Sequence, residues 1–174
     1  MNKVYTGIGS RSTPANMKLL IRDFGRYFAL SGWTLRSGGA DGADYHFEEG
    51  CDEFDGKKEI YLPWKGFNFN TSNRYVIVDE AVELAARYHP RWGFLSNAEK
   101  KLHSRNVYQV LGYKLDKPSD FLLCWTFDGC SSKKERTSKT GGTGLAIAIA
   151  DDYGVPVINL KNENYLKLLE KYLT

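Results

Sequence analysis

Trp33-Thr34-Leu35-Arg36-Ser37-Gly38-Gly39-Ala40-Asp41-Gly42-Ala43-Asp44 carries the chain from a β-like run through a glycine-rich turn into a helix-like one. At such a junction unpaired backbone N–H groups and the positive end of a helix dipole point at one spot, and glycine lets a bulky anion approach the backbone. Two further stretches have the same form. Thr6-Gly7-Ile8-Gly9-Ser10-Arg11 follows the apolar start at Val4, and Thr140-Gly141-Gly142-Thr143-Gly144 lies about a hundred residues beyond the middle loop. A single glycine turn is weak evidence, because many serve only as tight turns, but three in one short chain point to a nucleotide or sugar-phosphate site. No Gly-x-x-x-x-Gly-Lys-Ser/Thr run is present, and Thr13 stands where the third glycine of a dinucleotide fingerprint belongs. Both observations count against a P-loop NTPase and a conventional NAD-dependent dehydrogenase.

Outward from the middle loop, the pattern alternates. Val4 to Ile8 reads as a first strand; Pro14 marks a helix start, and Met17, Leu20, Ile21, Phe24, Tyr27 and Phe28 repeat at helical spacing up to Gly32. After the middle loop, Ala43, Phe47 and Cys51 continue a second helix, and Glu59 to Leu62 forms a third strand stopped by Pro63. This βαβαβ order is the half-unit of a parallel, doubly wound sheet. Trp64 to Thr71 reads as aromatic loop and Val76 to Tyr88 as helix, broken at His89-Pro90. Ser96 with Glu99 forms a capping-box pattern for a helix to about Leu111, and Ser119 to Trp125 is a continuous apolar run suited to a central strand. Asp128 to Lys139 is polar and reads as a mobile loop; Gly144 to Asp152, Pro156 to Leu160 and Asn164 to Leu173 complete the pattern as helix, strand and helix. The expected fold class is therefore α/β, with about five mainly parallel strands and helices on both faces, in one domain spanning residues 1–174.

The 174 residues allow a substantial core, and 42% hydrophobic with 26% charged residues fits a globular protein. No apolar run approaches the roughly 18 residues of a membrane span, and Met1 to Tyr5 lacks a signal-peptide core; the expectation is a cytoplasmic protein without a membrane partner. Three cysteines, Cys51, Cys124 and Cys130, have no metal-like spacing and are expected as reduced thiols. Neither a metal site nor a cofactor is expected. The net charge of +3 neither demands nor excludes nucleic acid.

The succession Gly7-Ile8-Gly9-Ser10-Arg11, Ser37-Gly38-Gly39-Ala40-Asp41-Gly42-Ala43-Asp44, Arg105-Asn106 and Gly141-Gly142-Thr143-Gly144-Leu145-Ala146 resembles the Rossmann-like domain of the DNA-processing protein A (DprA/Smf) group. That group belongs to the nucleotide-binding superfamily shared with the lonely-guy phosphoribohydrolases. The resemblance runs from about Lys3 to Leu160, and Ile60-Tyr61-Leu62-Pro63-Trp64-Lys65-Gly66-Phe67-Asn68 is similar to small DprA-like proteins of bacteriophages. It implies a Rossmann-like fold, a nucleotide ligand and a homodimer or higher homo-oligomer. The sequence departs from the recombination mediators at Val107, which follows Arg105-Asn106 in place of another arginine. It departs from the phosphoribohydrolases at Leu145 and Ala148, where they carry threonine and a catalytic glutamate.

On these grounds the phosphate- and nucleotide-binding residues are expected to be Gly7, Gly9, Ser10, Arg11, Ser37, Gly38, Gly39, Ala40, Asp41, Arg105, Asn106, Gly141, Gly142, Thr143 and Gly144, with Arg36 as a further donor. Arg11 offers a planar fork for a phosphate. Asp41 and Asp44 are the candidate catalytic carboxylates. Either can grip ribose hydroxyls or stabilise the charge that builds at C1′ when a glycosidic bond breaks, and either can equally just offset a helix dipole. Three functions follow as expectations: binding of a nucleoside phosphate or nucleotide sugar, cleavage or transfer at a nucleotide's glycosidic bond, and binding of single-stranded DNA through Arg11, Arg105 and the basic loop. His103 reads as solvated or core, and Trp92 as either a base-stacking ring or a core plug.

Overall fold

The computed structural model describes residues 2–174. Its five strands are β1 (Val4–Gly9), β2 (Thr34–Ser37), β3 (Lys58–Ile60), β4 (Phe121–Trp125) and β5 (Val157–Asn159). They form one sheet in the order β3-β2-β1-β4-β5, and every pairing is parallel. Six α-helices cover it: α1 (Ala15–Leu30), α2 (Ala43–Asp52), α3 (Asp79–Tyr88), α4 (Asn97–Leu111), α5 (Thr143–Asp152) and α6 (Tyr165–Leu169). This is the expected Rossmann-like, doubly wound α/β architecture.

The period of two along β4 sorts the core into halves. Phe121, Leu123 and Trp125 pack with Ile21 and Phe28 of α1, Phe47 of α2 and Leu169 of α6, whereas Leu122 and Cys124 pack with α3, α4 and α5. All five β4 side chains are buried, as a central strand requires. α1 and α2 approach closely because Gly25 and Gly50 meet where they cross; a methyl group on Gly25 would lie 2.6 Å from the Phe47 carbonyl oxygen.

Some boundaries differ from those read in the sequence. β3 ends at Ile60, and Tyr61 makes only an isolated bridge to Arg74. α3 starts at Asp79, because Val78 is extended and Asp79 and Glu80 occupy the favourable first turn. The last helix stops at Leu169 and tightens into a 3-10 turn at Glu170–Tyr172, which lets Tyr172 stack on Phe121 with ring centroids 4.1 Å apart. The capping box of α4 is present in full. Among the described residues no helix is long and apolar enough to cross a membrane.

Candidate functional site

β1 and β4 are neighbours, yet β1 leads to a helix on one face and β4 to a helix on the other. A crevice must open where the two exits diverge, beyond the carboxyl ends of these strands. The N-termini of α1, α2 and α5 come to this edge, and none has a side-chain cap. The crevice is a cleft of about 530 Å³, in the range of small-molecule sites.

Of the expected residues, Gly9, Ser10, Arg11, Ala40, Asp44, Arg105, Asn106, Gly141, Gly142 and Thr143 line the cleft together. The others sit elsewhere for identifiable reasons. Gly7 is a packing glycine: a methyl group there would lie 2.8 Å from Leu35 Cδ1 and Phe47 Cγ. Ser37 is fully buried and its hydroxyl donates to the Gly7 carbonyl at 2.6 Å. Gly38 leaves room for the Arg105 guanidinium, and Gly39, at φ +64, faces Leu62 and Asn70. Asp41 is exposed and outside the cleft lining, so of the two candidate carboxylates only Asp44 faces it. Gly144 lines a neighbouring recess. Arg36 is turned away, donating from Nε to Glu59 at 2.8 Å and from Nη1 to the Lys117 carbonyl at 2.6 Å.

Asp44 and Arg105 are the buried charges of the cleft, 4% and 5% exposed. Burial pushes the Asp44 carboxyl up to about 6, opposed by the Arg105 charge and by the N–H groups of Ala40, Gly9 and Gly38. Burial likewise brings Arg105 down to about 10, with Asp44 opposing. Yet neither makes an ion pair within 4.0 Å among the described residues. Arg105 instead donates to the carbonyls of Gly38 and Tyr61 and, at 2.7 Å, to Asn106 Oδ1, while its guanidinium lies 5.5 Å from the centre of the Phe67 ring. Asn106 passes the chain of contacts on, donating to the Gly142 carbonyl at 3.2 Å. The middle glycine loop and the turn preceding α5 are thus tied through α4.

The polar stretch read as mobile is bound to the fold. Asp128 accepts from the hydroxyls of Thr126, Thr137 and Thr140 and from the Cys130 N–H, Arg136 donates to the Tyr88 carbonyl, and the Lys133 N–H donates to Asp151. Partial burial opposes ionisation of Asp128, but the hydroxyls of Thr140, Thr137 and Thr126 outweigh it and hold the carboxyl at about 2.

Some cleft residues were not read as site residues in the sequence: Phe67, Gln109 and Phe127, and Glu99, which was read only as a helix cap. Phe127 lies just past the end of β4, and that place was the available signal; Phe67 sits further on from β3, in the stretch read as aromatic loop. Among the described residues no group of three or more His, Cys, Asp or Glu is arranged to hold a metal ion. No family model, curated protein or solved structure matches the chain.

Proposed function

We propose that the chain is a nucleotide-binding domain of the DprA-like Rossmann group, taking a nucleoside phosphate or nucleotide sugar in this cleft. The observation that carries the reading is Arg105, a guanidinium 5% exposed that lines the cleft with no carboxylate in ion-pair range among the described residues. A buried cation held this way gains from an anionic partner, and the uncapped start of α5 supports the same charge. Arg11 adds a second guanidinium at the rim, Phe67 offers a face for a base, and Asp44 accepts from sugar hydroxyls.

Asp44 favours a second reading. A carboxyl raised to about 6 beside an arginine suits an enzyme acting at a nucleotide's glycosidic bond, where it stabilises oxocarbenium-like charge when ionised. The test begins with native mass spectrometry of freshly purified protein for a retained nucleotide, followed by thermal-shift screening of nucleotides and nucleotide sugars. A ligand at a hundred times its dissociation constant stabilises by about 2.7 kcal/mol, and Arg11→Lys should lose affinity for phosphorylated ligands but not for the bare nucleoside. Product release that falls far more than affinity in Asp44→Asn, with a rate-pH inflection near 6 in the parent, supports the enzyme. Tight binding without product across the panel leaves the binding protein, and no binding at all overturns both.

A further inference from the structure

The cleft does not end at the third glycine loop. Past that loop a second recess of about 550 Å³ opens, sharing His103, Ser138, Thr140, Gly141 and Gly142 with the first as a common wall. Its remaining side chains include His89, Lys133 and Arg136, and no Asp or Glu lines it. Arg136 donates to the carbonyls of Tyr88 at 2.8 Å and Lys133 at 3.2 Å, and among the described residues no carboxylate lies within ion-pair range of it. The nearby acids leave Arg136 unpaired, although one of them balances Lys133. Asp152 pairs with Lys133 Nζ at 2.9 Å, Asp128 is filled by threonine hydroxyls, and Glu99 caps α4. His103 Nδ1 is buried without a hydrogen-bond partner, and the His89 ring packs edgewise on it at 4.4 Å. Burial and neighbouring cations hold both imidazoles below their ordinary range, so at neutral pH each is a neutral hydrogen-bonding group. Space is open where side chains would stand at Gly141, and at Gly142 nothing lies nearer than His103 Cε1 at 3.9 Å.

We infer that this outer recess is a second phosphate subsite, and that the natural ligand crosses the third glycine loop with a phosphate group on each side. The chemistry is that of a dinucleotide or a short single strand, joined through phosphodiester or pyrophosphate, rather than a mononucleotide. The inference rests on the nucleotide reading of the inner cleft, with Arg136, which lines the outer recess and not the inner cleft, as its own observation. A ligand filling the inner cleft alone would leave it unused.

The chain's three histidines allow a direct test, because His46 on α2 pairs with Glu49 and serves as an internal reference. Imidazole proton–carbon NMR spectra of the full chain are recorded while inorganic phosphate replaces chloride at constant ionic strength. His89 should shift saturably while His46 stays, and Arg136→Gln should weaken the response about tenfold, as the loss of one charged hydrogen bond implies. Arg136→Lys, which keeps the charge and loses the planar fork, gives a second check if Arg136→Gln fails to fold, with a weaker His89 response than in the parent. Calorimetry then compares a 5′-nucleoside monophosphate, a 5′-phosphorylated dinucleotide and a single-stranded decamer. Tighter binding of the dinucleotide than of the monophosphate in the parent, abolished by Arg136→Gln, supports the subsite. A further gain with the decamer and a steep salt dependence identifies the single strand as the source, and no further gain identifies the dinucleotide. Equal affinity for mono- and dinucleotide, or a His89 signal that phosphate leaves unmoved, overturns the inference while the inner site stands. A His89 response to inorganic phosphate with no binding of either the monophosphate or the dinucleotide overturns the inner reading instead.

Discussion

Two buried arginines separate what a side chain's identity says from what its surroundings decide. Both Arg36 and Arg105 read in the sequence as donors for a phosphate, yet Arg36 is neutralised by Glu59 on the adjacent strand while Arg105 has only carbonyls, Asn106 and a ring. Asp128 opens the polar stretch that reads in the sequence as a mobile loop, and it holds that loop shut. Its folded-state value of about 2 lies below the ordinary carboxyl value of about 4, so the stability it lends is complete above about pH 4 and is lost as the pH falls toward 2. Asp128→Asn should therefore lower stability at pH 7 by about 1 to 2 kcal/mol and flatten the acid limb between pH 4 and 2. Denaturant titrations at a series of pH values check this; an unchanged acid limb would show that the threonine hydroxyls find other acceptors.

At the scale of elements, the glycines of the three loops divide into those that pack and those that face the cleft. Gly142 has φ −62 and ψ −23, which any residue adopts, and open space beside it, so Gly142→Val should fold with a melting temperature within a few degrees of the parent. It fills the approach to the α5 N-terminus, so nucleotide binding should be lost. Gly7→Ala should do the reverse, destabilising the chain because its methyl group meets Leu35 and Phe47 at 2.8 Å. Overpacking of this kind costs about 1 to 3 kcal/mol. Thermal unfolding and ligand titration of the two variants side by side decide the matter, and intact binding by Gly142→Val would remove the third loop from the site. The two glycines look alike as sequence. Their difference comes from position: Gly7 lies inside β1 and Gly142 at the start of α5.

At the scale of the whole molecule, β4 joins two cores that lie on opposite sides of one sheet. Phe121 anchors the aromatic half with Tyr5, Phe28, Trp33 and Tyr172 around it, and its neighbour Leu122 anchors the half beneath α3, α4 and α5. Phe121→Ala should cost about 3 to 5 kcal/mol and Leu122→Ala about 2 to 5. Because both side chains stand on one central strand, each variant should lower a single unfolding transition, with tryptophan fluorescence and far-ultraviolet circular dichroism coinciding. Separate transitions for the two probes would show that the halves unfold independently.

The sequence by itself determined the α/β class, the parallel sheet and the order of its elements, because periods of 2 and 3.6 and the punctuation by glycine and proline are local properties. The capping box at Ser96 and Glu99 and the buried run before Trp125 belong to the same local grammar. Tertiary structure alone decided which residues share the cleft. Asp44 and Arg105 come from α2 and α4, Phe67 from the stretch after β3, and Gly142 from the start of α5; no spacing along the chain announces that they meet. Their meeting follows from the β3-β2-β1-β4-β5 order, which opens the crevice between β1 and β4 and brings distant helix starts to its rim. The same order turned Arg36 and Ser37 into the core and left Asp41 outside, although each stands within a few residues of the loop that first suggested a site.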